Sequence, residues 1–282
     1  MHKCSATNTV FRMRAMRYVK IATSLAKRTL GDNLVSIILF GSLARCEATK
    51  ISDVDLLIVV RRFDHNTKKL EKILRLLSIK LGLTFIPQGF FGRLFYALSN
   101  ATGMFRPAFI AERESIRNWE FEEVFNTSKF MSRVLAPKES VKSTIMSSYH
   151  VLYGEDPFAP LTLREPSYIE VIKSLLMNML LATCSFVLIP FHRETYRFIY
   201  EAIKWSLFNY SYIAGIAPMI SDLTIRFRNP IKFGIKYFVD TRNNGRLNPA
   251  LLAYAIPTIL KIHMASLRKL KKLRLRRSTK SS

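Results

Sequence analysis

The sequence predicts an α+β domain over residues 1–158 followed by an all-helical domain over 159–282, on three observations. Short, β-branched apolar runs at Leu34–Phe40 ("LVSIILF") and Leu56–Val60 are interspersed with helical patterns in the first part. Beyond residue 160 the apolar residues recur at helical spacing over long stretches. Hydrophobic residues make up 49% of the 282-residue chain, ample for packed cores.

Taken in order, residues 9–30 place Val10, Met13, Arg17, Ile21 and Leu25 near helical spacing, and Gly31-Asp32-Asn33 supplies a stop. The runs 34–40 and 56–60 read as buried strands. Asp64–Asn66 can cap a helix with Leu70, Ile73, Leu74, Leu77 and Leu81 on one face, ended by Gly82. Leu83–Ile86 predicts a third strand, 88–107 a loop with room for one short helix, and Ala108–Glu112 ("AFIAE") a further strand. Pro137 suits the first turn of a helix running to about Leu152, and "YGEDPFAP" is a turn-rich boundary. Ile169–Ile189, Glu194–Ile213 and Pro249 to about Arg276 read as long helices, with loops at "IRFRNP" and "TRNNGRLNP".

Composition narrows the partners. The chain carries 44 Lys+Arg against 20 Asp+Glu, a formal net charge of +24, which attracts polyanions such as nucleic acid, nucleotides or an anionic membrane surface. The excess gathers at the ends: residues 1–31 hold seven basic residues and no acid, and Arg268–Lys280 holds eight and no acid. The basic tail can follow a phosphate backbone, lie against an anionic membrane as an amphipathic helix, or stay disordered. Ser174–Phe191 has no charged residue over 18 positions, long enough to span a bilayer, but nothing else reads as a span, so a buried core helix is expected and a membrane is not. Cys4, Cys46 and Cys184 are too far apart for a disulfide framework or a zinc site, and the N-terminus lacks a secretory apolar segment, so a reducing cytoplasmic setting is expected. The five histidines show no ligand spacing and no serine or cysteine stands in a nucleophile elbow, which leaves a hydrolase without support.

The stretch "ILFGSLARCEATKISDVDLLIVV" carries the chemistry. A glycine leaving a buried strand lets the backbone turn sharply, and the following serine offers a hydroxyl beside free backbone N–H groups, so Gly41-Ser42 forms a small phosphate cradle. In Asp53-Val54-Asp55, extended backbone puts both carboxylates on one side while Val54 and Leu56 point into the core. Two carboxylates so close repel unless a cation sits between them, and Mg²⁺ suits carboxylate oxygens shared with substrate phosphates.

Together the apolar strand, Gly-Ser, short helix, Ser-Asp-x-Asp-Leu and second apolar strand resemble the small, stand-alone form of the DNA polymerase β-like nucleotidyltransferase superfamily. The segment "HVLYGEDPF" (150–158) resembles the one that closes this domain, and the wider chain is similar to archaeal nucleotidyltransferase-domain proteins. The resemblance implies a mixed sheet with flanking helices. It implies that Gly41 and Ser42, with Arg45 and Ser52 beside them, hold the phosphates of a nucleoside triphosphate, and that Asp53 and Asp55 bind Mg²⁺ or Mn²⁺. The implied reaction moves a nucleoside monophosphate to a hydroxyl acceptor, for which the basic field favours RNA or tRNA. The alternative is a catalytically impaired nucleotide- or RNA-binding module, for instance of a toxin–antitoxin pair. Two positions depart from the pattern. Members commonly have Arg-Gly where this chain has Arg45-Cys46. Active members present a third carboxylate from the strand after the intervening helix, where "LTFIPQ" has Thr84 and Gln88 but no acid; Glu112 is the expected substitute and Asp64 the next. A helical domain after this fold often helps form the acceptor cleft, which would involve the helix of Tyr200, Lys204 and Trp205, although its periodicity is that of a core helix. Oligomeric state and base preference are not legible.

Overall fold

A computed structural model of the chain describes residues 9–84 and 89–279 and divides into two units. The first runs to Arg133 and includes Ser148–Thr162; the second comprises Val134–Ser147 and the chain from Leu163 onward. The division thus falls a few residues beyond 158, and 134–147 belongs with the helical unit.

In the first unit, α1 (Thr9–Leu30) leads through a 3₁₀ turn into β1 (Leu34–Phe40), the short α2 (Gly41–Ala44) and β2 (Asp55–Val60). Then come α3 (His65–Lys80), α4 (Gly89–Thr102), β3 (Ala108–Glu112), α5 (Arg113–Arg117), α6 (Phe121–Val124) and α7 (Lys129–Val134). After α8 (Lys138–Met146), which lies in the second unit, β4 (His150–Gly154) returns to the sheet. The strand order is β3-β2-β1-β4, with β1 antiparallel to both β2 and β4 and β3 parallel to β2.

The two central strands are apolar because both their faces are covered. Ile37, Leu39, Leu56, Ile58 and Val60 pack with Tyr18 and Ala22 of α1 and Leu70 and Leu74 of α3. The opposite face carries Phe40, whose ring centroid lies 6.3 Å from that of Phe109, which in turn meets Phe125 edge-on at 5.4 Å.

Two expected elements differ. Leu83 and Thr84 are irregular, Phe85–Gln88 lie outside the described residues, and β3 is the strand beside β2. The helix expected to reach Leu152 stops at Met146, and His150–Gly154 pairs with β1. Gly154 explains how: its φ is +79°, and a Cβ there would lie 2.0 Å from the Val35 carbonyl oxygen, so β4 closes on β1 only with glycine at this point. Asp156 then ties the segment down, accepting from Tyr149 Oη at 2.6 Å and from the Phe158 N–H at 3.0 Å.

The second unit continues with α9 (Tyr168–Leu188), α10 (Tyr196–Ala214), α11 (Ile220–Phe227), α12 (Lys232–Asn244) and α13 (Ala250–Ser278). Its centre is α10, packed against α9 and α13, with Phe198, Ile199, Ala202, Ile203 and Leu207 fully buried. Tyr200 is buried too, stacked on Phe238 at 4.9 Å, while Lys204 pairs with Glu201, so this helix is core, as its periodicity predicts. Parts of α11 and α12 fall in stretches whose sequence predicts loops, because the Arg- and Asn-rich ends of both helices mask the apolar residues, such as Leu223, Phe227, Ile235 and Phe238, that they bury. Both α9 and α13 are long and apolar enough to cross a membrane by length and composition. A polar network crosses their packed faces: His263 Nε2 lies 3.1 Å from Ser174 Oγ, and Asn178 donates to Ser206 Oγ at 3.0 Å.

Candidate active site

The site begins where β1 ends. Gly41 has φ +73°, and a Cβ placed on it would lie 1.8 Å from Asp55 Oδ2. Glycine is therefore required twice, by the backbone conformation and by the carboxylate lying over it. The register explains the approach: Asp55, the first residue of β2, pairs with Phe40, the last of β1.

Asp53 and Asp55 are both half-buried, while Val54 and Leu56 between and after them are fully buried among the residues beneath α1 and α3. The alternation expected from the sequence is present, and it holds the two carboxylates on the sheet face opposite α1 and α3. Ser42 Oγ is buried without a hydrogen-bond partner. Other buried hydroxyls, among them those of Tyr18 and Ser36, also lack a partner; Ser42 is set apart by standing directly after Gly41 and beside the aspartates, where an incoming polar group would meet it. A backbone without a Cβ, an unsatisfied hydroxyl and two carboxylates on one face together form a donor set that fits a divalent cation carrying phosphate oxygens.

The remaining expected residues do other work. Arg45 turns inward, its side chain almost wholly buried, with Nε 3.4 Å from Glu47 Oε2 and Nη1 3.4 Å from Ser148 Oγ. Ser52 Oγ accepts from the Thr49 N–H at 2.8 Å and Ser52 N–H donates back to the Thr49 carbonyl at 3.1 Å, closing the turn before the aspartates. Both brace the loop in which Gly41 and the aspartates sit. Glu47, Ser148 and His150, which the sequence does not single out, brace it too; His150 Nε2 lies 3.2 Å from the Ala44 carbonyl. Only the "HVLYGEDPF" likeness signals the last of these.

At Cys46 the departure from Arg-Gly has a visible consequence. Its φ is +59°, the left-handed conformation that glycine adopts without penalty. Cys46 is also disulfide-bonded, where the spacing of the cysteines predicts none, while Cys184 is free.

The structure does not bring Glu112 to the aspartates. β3 runs parallel to β2 with Leu56 opposite Ala108 and Val60 opposite Glu112, so Glu112 is five strand positions, roughly 16 Å, from the level of Asp55. Its carboxylate instead accepts from the Phe63 N–H at 2.7 Å and lines a cavity of about 550 Å³ along β3 with Glu71, Arg106 and Glu123. Asp64 is also spent at that end of β2. It caps α3: its carboxylate accepts from the Thr67 N–H at 2.8 Å and from the Thr67 hydroxyl at 2.8 Å, bonds that hold the carboxyl below the usual range, while Thr67 Oγ1 accepts from the Asp64 N–H at 2.6 Å. Beside Asp55 on β3 the chain reads Arg106-Pro107-Ala108, without an acid. Among the described residues no three His, Cys, Asp or Glu come together as a metal-binding group.

A strand ending in Gly-Ser, an antiparallel partner opening on paired aspartates, and a helical unit after the sheet follow the pattern of the DNA polymerase β-like nucleotidyltransferases. Residues 19–88 match the family model described as nucleotidyltransferase domain. Over 49 residues, 17% of this chain, the sequence is 47% identical to a Methanocaldococcus jannaschii protein named as an inferred protein adenylyltransferase, and the match spans 33% of that relative's length. In fold, the chain is similar to spectinomycin adenyltransferase AAD(9) from Enterococcus faecialis, whose crystal structure contains ATP and spectinomycin. That likeness has a TM-score of 0.55 at 13% identity, covering 92% of this chain and 99% of the other.

Proposed function

We propose that the protein is an adenylyltransferase-type nucleotidyltransferase, moving a nucleoside monophosphate from a nucleoside triphosphate to a hydroxyl acceptor. The observation that carries this reading is the Asp55 carboxylate seated over Gly41 beside the unsatisfied Ser42 hydroxyl. The family match of residues 19–88 and the ATP bound in the structural neighbour support the same donor.

Asp53 and Asp55 would hold Mg²⁺ or Mn²⁺, which when bound neutralises triphosphate charge and orients the reacting oxygens. Ser42 Oγ donates to a phosphate oxygen, replacing the bond it lacks, and Gly41 lets the triphosphate approach the backbone. The acceptor hydroxyl attacks the α-phosphorus, forming one P–O bond as that to the bridging oxygen breaks; pyrophosphate leaves and the hydroxyl proton passes to solvent or to the acceptor's surroundings. RNA is the acceptor class we favour. Arg14, Arg17, Lys20, Lys27 and Arg28 form an exposed basic stripe on α1, in the same unit as the site, and α1 contains no acid.

One observation favours a second reading. No acid stands beside Asp55 on β3, so the domain would grip nucleotide without efficient turnover. Incubating the protein with each labelled nucleoside triphosphate, Mg²⁺ or Mn²⁺ and total RNA, beside an Asp53→Ala/Asp55→Ala control, separates the two. Transfer that vanishes in the control supports the enzyme; saturable nucleotide binding with no transfer to RNA, protein or itself supports the module.

A further inference from the structure

The outward face of α9 and α13 is apolar where a protein of this charge would be expected to be polar. On α9, Ile169, Ile172, Leu176 and Val187 are 65%, 51%, 49% and 61% exposed, and their spacing puts them on one narrow stripe. The opposite side of the helix, including Val171, Leu181 and Leu188, is buried. Less than half of the apolar stretch of either α9 or α13 is buried.

The two helices run antiparallel: the Arg274 guanidinium lies 4.7 Å from the Tyr168 ring, Leu270 packs with Val171, and His263 meets Ser174. Both also pack on α10, so the faces they turn away from α10 lie side by side. On α13 that face exposes Leu260, Met264 and Leu275, interleaved with the exposed Lys261, Arg268, Lys271 and Lys272, while Tyr254 is turned onto Phe233 and Tyr237 of α12. There is no acid anywhere in α13.

We propose that this face binds an anionic lipid bilayer, the helical unit lying on the membrane with α9 and α13 along its surface. Aliphatic side chains on one stripe with lysine and arginine beside them match the two attractions of such a surface, apolar insertion at the headgroup boundary and charge. Other occupants fit less well. A second copy would bring two basic faces of a +24 protein together. Nucleic acid would meet the lysines but leave the Ile, Leu and Val side chains with nothing to bury against. Crossing the bilayer would strip α9 and α13 from α10 and expose Asn178, Ser174 and His263 to lipid.

The test is co-sedimentation of the full-length protein with phosphatidylcholine vesicles with and without phosphatidylglycerol. Because a basic protein can adhere through charge alone, the decisive variant is neutral: Ile172→Ser/Leu176→Ser/Val187→Ser. We expect binding that requires phosphatidylglycerol and weakens at least about tenfold in this variant, which loses three aliphatic anchors but no charge. Lys271→Ser/Lys272→Ser should weaken binding about fivefold for each charge removed. Circular dichroism melts of all variants should match the parent, since every altered side chain is exposed. Unchanged vesicle binding by the triple serine variant would overturn the proposal. So would a dimer that the same variant converts to monomer, or RNA binding that it alone weakens while vesicle binding persists.

Discussion

Asp55 Oδ2 occupies the space that a Cβ on Gly41 would need, 1.8 Å from where that carbon would stand. The strand end and the carboxylate are thus built as one object, and altering either disturbs the other. Gly41→Ala should cost about 1–2 kcal/mol from the left-handed backbone alone and push the Asp55 carboxylate aside. Thermal melting should show the first effect, and nucleoside triphosphate binding by calorimetry should weaken by at least about tenfold.

Ser42→Ala separates stability from function. The hydroxyl is buried without a partner, so removing it should leave the melting temperature unchanged or raise it, by up to about 1 kcal/mol of stability. If phosphate supplies the missing bond, triphosphate affinity should fall about fivefold to tenfold in the same variant, as expected for a lost hydrogen bond to a charged group. A loss of stability without loss of affinity would mean that Ser42 is structural.

Glu112→Ala should retain transfer activity within about twofold, because a carboxylate five positions along β3 cannot reach the aspartates. Its loss removes one acceptor for the Phe63 N–H, worth less than about 1 kcal/mol at this exposed position. Urea denaturation and a transfer assay on the same preparation give both quantities; a hundredfold drop in rate with native stability would restore Glu112 to the site.

His263 gives the helical unit a pH dependence. Burial pushes its pKa from 6.5 down to about 4. The unfolded chain therefore binds a proton between those values that the folded chain refuses, so stability falls as pH drops through that window, by about 3 kcal/mol at most. Both ring nitrogens face neutral partners, Ser174 Oγ and the Ile259 carbonyl, and neither offers an imidazolium a counter-charge. His263→Asn should flatten the unfolding free energy between pH 6.5 and pH 4, at some cost in stability throughout. A variant with the parent's pH slope would show that the ring titrates normally.

Much of the first unit is legible in the sequence because its signals are local. β1 is readable from its β-branched run, α3 from the Asp64 cap, and the aspartate pair from alternation alone, with Val54 and Leu56 buried as the pattern requires. What is not legible depends on pairing at a distance. Nothing in "LTFIPQ" or "AFIAE" says which segment pairs with β2, and only the parallel register puts Glu112 at the far end. Likewise Arg45 reads as a phosphate ligand until Glu47 and Ser148 are seen to hold it inward. In the second unit, α10 is plain from its periodicity, while the exposed stripe of α9 is invisible, since a helix without a charge beyond Lys173 reads the same whether one face or both are covered.

The central claim is that Gly41, Ser42, Asp53 and Asp55 direct nucleotidyl transfer, and the label position in ATP tests it most directly. With Mg²⁺ or Mn²⁺ and the acceptor pool, label on the α-phosphate should appear covalently on acceptor, label on the γ-phosphate should leave as pyrophosphate, and both should be lost in Asp53→Ala/Asp55→Ala. Transfer of the γ-label to acceptor, or α-label transfer that survives the double substitution, would contradict it.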